Sequence, residues 1–130
     1  MHVGMSVNNS LFKYSYGADE FNNSLDLVYK SVLQEFTSNG KFDVLIIQDL
    51  GDALDGYNNE TTRGGHKLEQ NMSNNEAFRI FVHGKLNLIN KLYLANVANT
   101  ILIKDTVNCN HAAVLRGTRW SSSHAVREAA

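Results

Sequence analysis

Val44-Leu45-Ile46-Ile47-Gln48-Asp49-Leu50-Gly51-Asp52-Ala53-Leu54-Asp55-Gly56 is the stretch that decides how the rest of the chain reads. The run from Phe42 to Leu50 is too short and too β-branched for a helix, so it predicts a buried parallel strand. Gly51-Asp52 ends the run with turn-forming residues. A carboxylate there sits at the C-terminal edge of the strand, where open α/β sheets bind their ligands.

The segments on either side supply the partners such a strand needs. Upstream, residues 18–37 place Phe21, Leu25, Val28, Val32, Leu33 and Phe36 in a helical stripe, and Asn39-Gly40 supplies its stop. Downstream, residues 56–72 are polar with a Gly pair and read as a surface loop. Ser73-Asn74-Asn75-Glu76 matches a capping box. It opens a long helix to about Ala98, with Phe78, Phe81, Val82, Leu86, Ile89, Leu92 and Tyr93 facing inward. Thr100–Val107 alternates weakly around Ile101-Leu102-Ile103 and predicts a second strand. The alternation of helix and strand predicts an α/β class, with parallel strands joined by right-handed helical crossovers.

Composition bounds the function. At 130 residues the chain is at most one ordinary domain, and 43% hydrophobic with 19% charged residues describes a soluble globular protein. A formal net charge of −1 gives no bulk electrostatic case for nucleic acid, though a nucleotide or nucleic-acid substrate reached through metal ions stays open. The single cysteine, Cys109, rules out an internal disulfide and a Cys-rich zinc site. No apolar run reaches the roughly 18–20 residues of a membrane span. The N-terminus carries no secretory pattern either, so the expected location is cytoplasmic. Residues 1–111 are rich in Asn, whereas the last stretch, AAVLRGTRWSSSHAVREAA, has none. Residues 112–130 therefore read as a tail foreign to the domain rather than as a flexible end of it.

The polar clusters fall where chemistry would need them. Asp52 follows the first readable strand, and Asn110 and His111 follow the second. His2 would follow a strand lying before residue 1. In a parallel sheet these edges converge on one crevice. Oxygen and imidazole ligands gathered there suit a pair of divalent ions such as Mn, Fe or Zn.

At these residues the chain resembles the N-terminal half of a calcineurin-like metallophosphoesterase. The family's first motifs are Asp-x-His, Gly-Asp-x-x-Asp-Gly and Gly-Asn-His-Asp/Glu. His2 matches the histidine of the first, Gly51, Asp52 and Asp55 the second, and Asn110 with His111 the third. The resemblance implies a metal-dependent hydrolase of phosphate monoesters or diesters, including nucleotides or nucleic acid, with a dinuclear metal site. His2 would hold one metal, Asp52 would bridge both, Asn110 would hold the second, and His111 would act catalytically on the leaving oxygen. The Asn-rich composition is similar to phage members of the family, which would place the protein in a host cell's cytoplasm.

The departures are specific. The first-motif Asp would fall before Met1, Cys109 replaces a Gly, and Ala112 stands where an acid normally follows the His. The resemblance covers roughly residues 2–111. It implies a partial phosphoesterase sandwich whose first strand and C-terminal half lie outside the chain, leaving the site incomplete and the fragment inactive by itself.

Other residues read more plainly. Arg63, beside Gly64-Gly65-His66, is a candidate phosphate contact in a polar loop that also reads as a solvated connection. His83 reads as structural and Cys109 as a small filler beside the site. The rival to the hydrolase is a non-catalytic α/β binding module, or a fragment that does not fold stably. A real metal site would raise the thermal midpoint on binding a divalent ion, and the rivals would not. Substrate, metal identity and oligomeric state are not encoded in any motif.

Overall fold

The computed structural model describes Val3, Met5 and residues 16–51 and 72–105. Four elements run in the order α1 (Ala18–Asn39), β1 (Phe42–Asp49), α2 (Asn74–Leu94) and β2 (Ala98–Asp105). β1 and β2 pair in parallel, from Phe42 opposite Ala98 to Asp49 opposite Asp105. The described part is thus mixed α/β, with a helix between two parallel strands, as the alternation of patterns predicts. The expected Asp52–Asp55 turn, the Arg63 loop, the third motif, His2 and the 112–130 tail lie outside the described residues.

Local chemistry sets the helix ends. The Glu20 carboxylate accepts from the Gly17 N–H at 2.9 Å, satisfying an amide that a helix N-terminus leaves without an intrahelical partner. At the other end Gly40 has φ +84° and donates its N–H to the Phe36 carbonyl, the stop expected at Asn39-Gly40. For α2, Ser73 Oγ accepts from the Glu76 N–H at 3.3 Å, the forward half of the expected capping box.

Two boundaries differ from the sequence reading. α2 stops at Leu94 rather than near Ala98, because Asn96 turns the chain with φ +52°. Asn tolerates this left-handed conformation better than most residues. The turn frees Val97, which is fully buried, to accept the Phe42 N–H at 2.9 Å. β2, Ala98–Asp105, accordingly begins two residues before the expected Thr100.

The inward faces are also narrower than expected. The buried stripe of α2 is Ala77, Phe81, Gly84, Leu88 and Leu92. At about 3.6 residues per turn, Leu86 falls well away from Gly84 and Leu88, and Tyr93 lies one step past Leu92. Leu86 is 43% exposed and Tyr93 72% exposed, so neither packs inward, and Val28 on α1 is similarly exposed. His83 is exposed, in keeping with a non-core role.

Two apolar clusters hold the layers together. One gathers Val3, Phe21, Ala77 and Phe81; the other gathers Leu88, Leu92 and Val97 against α1 and the strands, and Leu25 touches both. α1 packs tightly over Gly84 of α2, where a Cβ would lie 2.5 Å from the Phe21 ring. The opposite sheet face is open: Val44, Ile46 and Leu102 remain between 43% and 50% exposed.

Candidate functional site at the strand tips

The register brings two carboxylates together. Asp49 and Asp105 end β1 and β2 and stand opposite each other. Along β1, Leu45, Ile47 and Asp49 alternate onto the face covered by the helices, so the last of them points its carboxylate under α2. Lys85 comes down from α2 to meet both. It follows Phe81 by four residues and precedes Leu88 by three, so it lies in the stripe that faces the sheet.

The Lys85 ammonium donates to Asp49 Oδ2 at 3.2 Å and to Asp105 Oδ1. All three side chains are largely buried, at 12–14% exposure. The ammonium also stands 5.9 Å from the centre of the Phe81 ring, within range of a cation–π contact. The second Asp49 oxygen, Oδ1, accepts the Gly51 N–H at 2.9 Å. Gly51 itself has φ +86°, a conformation that favours glycine and turns the chain off the strand.

An open apolar cavity of about 400 Å³ runs between α1, β1 and α2 and ends at Asp49, Gly51 and Lys85. Its walls include Leu25 and Val32 from α1 and the consecutive residues Leu45 to Gly51, from β1 and the two residues after it.

Of the site residues singled out from the sequence, Gly51 alone is described. His2, Asp52, Asp55, Arg63, Asn110 and His111 lie outside the described residues. Three described residues share one corner. Val3, next to His2, is buried in the cluster with Phe81; Gly51, next to Asp52, is bonded to Asp49; and Asp105 is bonded to Lys85. Among the described residues no three His, Cys, Asp or Glu side chains form a metal-binding group. Asp49 and Asp105 are both engaged by Lys85.

The sequence reading missed Asp49, Lys85 and Asp105. The available signal was Lys85, a charged residue placed within an otherwise apolar helical stripe. No family model, curated protein or solved structure matches the chain.

Proposed function

We propose that this chain carries part of a two-metal phosphoesterase that hydrolyses phosphate monoesters or diesters. The observation that carries the reading is the convergence of Val3, Gly51 and Asp105 on the Phe81–Lys85 corner, at the C-terminal end of a parallel strand pair. Open α/β sheets bind ligands at that end. The same corner is where the motif residues next to, or a few positions beyond, these three would be delivered.

In this reading His2 would hold one divalent ion, Asn110 would hold the second, and Asp52 would be shared by both. The ions, Mn, Fe or Zn, supply charge neutralisation of the phosphate and an acidified water when bound. His111 donates a proton to the leaving oxygen, and Arg63 is a further phosphate contact from its loop. The finer fold proposed with it is the partial metallophosphoesterase sandwich, with a further strand seated in the apolar groove along β1. A cytoplasmic setting and a phosphate-ester substrate, nucleic acid included, belong to the same proposal.

The test is hydrolysis of a chromogenic phosphodiester with Mn²⁺, using the chain expressed with its flanking coding sequence. Activity lost in both Asp52→Asn and His111→Ala supports the reading. Equal activity in wild type and both variants discards it in favour of a non-catalytic α/β module.

A further inference from the structure

The cavity between α1, β1 and α2 has one wall unlike the others. Leu45 to Gly51 line it as consecutive residues, although the side chains of a strand alternate between faces. What such a run presents in common is its backbone edge. The Phe42 N–H donates to the Val97 carbonyl, so Phe42, Val44 and Ile46 turn their backbone groups toward β2. Leu45 and Ile47 turn theirs the other way, toward the cavity, and among the described residues β1 pairs with β2 alone. Their side chains go to the helix-covered face, where Leu25 and Val32 of α1 close over them.

The groove therefore asks for two things at once. Apolar groups fit against Leu25, Val32, Leu45 and Ile47, and hydrogen-bonding groups at peptide spacing fit along the edge. A hydrocarbon ligand would meet the first demand but cover the Leu45 and Ile47 backbone groups without answering them, which is unfavourable. An extended peptide meets both by adding a strand.

Charge narrows which peptide. On the helix-side face of β1 the order is Asp43, Leu45, Ile47, Asp49. Asp43 is exposed and accepts from the Asn99 amide at 3.2 Å, while Lys41 donates to Asn96. At the other end Asp49 and Asp105 share the ammonium of Lys85, leaving that cluster one negative charge in excess. A neighbouring strand sets its side chains opposite these with the same alternation, and opposite charges at facing positions attract. The complementary segment reads basic, any, apolar, any, apolar, any, basic. The acids flank the apolar pair symmetrically, so the pattern fits in either strand direction.

We propose that this groove docks an extended segment of a partner protein carrying that pattern, filling in trans the strand position along β1. The inference uses none of the residues assigned to hydrolysis.

The experiment measures, by fluorescence anisotropy without metal, binding of a blocked and labelled peptide, Lys-Thr-Val-Thr-Ile-Thr-Lys, to the chain. Its comparisons are the same peptide with Glu at both ends, a fully N-methylated counterpart, and competition by dodecylamine below its micelle concentration. The Glu-ended peptide should bind about 10-fold more weakly. The N-methylated peptide should not bind, and dodecylamine should not displace the parent. Asp43→Lys, at an exposed position, should shift preference toward a peptide with Glu at one end. Equal affinity for the Lys- and Glu-ended peptides, binding that survives N-methylation, displacement by dodecylamine, or an unchanged preference in Asp43→Lys overturns the inference. So does the absence of binding at millimolar peptide, whether circular dichroism finds the chain folded or unfolded. A dimer in sedimentation that binds no peptide assigns the groove to a second copy and overturns it too. No hydrolysis is read, so failure here leaves the hydrolase reading standing, and a failed hydrolysis assay leaves this inference standing.

Discussion

Asp49 and Asp105 stand opposite each other at the ends of two parallel strands, held by the ammonium of Lys85. The three side chains carry two negative charges and one positive, in a place where only about an eighth of each surface is exposed. The cluster is therefore asymmetric to mutation. Removing the cation leaves two facing carboxylates, whereas neutralising one carboxylate leaves a balanced pair.

The first prediction follows from that asymmetry. Lys85→Met should cost about 3 kcal/mol, the scale for removing one partner from a buried ion pair. Asp105→Asn should cost about 1 kcal/mol, because its amide oxygen still accepts from Lys85. Urea denaturation of the two variants measures the difference. Equal losses would show that the carboxylates do not repel across the ladder.

Two glycines should respond to the same substitution for different reasons. At Gly84 an added Cβ meets the Phe21 ring at 2.5 Å and Leu25 at 2.8 Å, so Gly84→Ala should overpack the helix interface and cost about 1–3 kcal/mol. At Gly40 nothing lies within 4 Å of the new atom, yet φ is +84° with ψ −172°. Gly40→Ala should therefore lose about 1–3 kcal/mol through backbone strain alone. Pairing each with Phe21→Leu separates them. That change should relieve Gly84→Ala and leave Gly40→Ala unaltered.

The described strand pair and its flanking helix were legible because their signals are local. The apolar run at Val44–Ile47, the Asn39-Gly40 stop and the Ser73 cap each depend on a few adjacent residues. The end of α2 was less legible, since apolar residues continue through Leu94 to Val97 and nothing in periodicity marks Asn96 as the turn. The tie at the strand tips was not legible at all. It joins residues 36 and 20 positions apart, and their meeting follows from register rather than from any short motif. The motif residues that suggest metal chemistry are the ones beyond the described strands. For them the sequence reading stands as the proposal.

A surface pair supplies a pH signature. Lys91 donates to Asp26 at 2.9 Å, and this hydrogen bond, with the Lys91 and Lys30 charges, lowers the Asp26 carboxyl below its ordinary value. A carboxylate lowered on folding contributes stability that is full above its unfolded value and is lost as pH falls through the folded one. The effect is small, since both side chains are exposed, and salt should screen it. Thermal midpoints of wild type and Asp26→Asn should differ slightly near neutrality and converge in acid. A gap that widens in acid would contradict the pairing.

Crystals of the chain with its flanking coding sequence, soaked in Mn²⁺ and measured for anomalous scattering, put the central claim to its most direct test. The account predicts two manganese peaks about 3.5–4 Å apart, Asp52 between them, and His2, Asn110 and His111 around the same pocket beside the Lys85 cluster. Asp52 and His111 on opposite sides of the molecule, or no manganese bonded to Asp52, would contradict it.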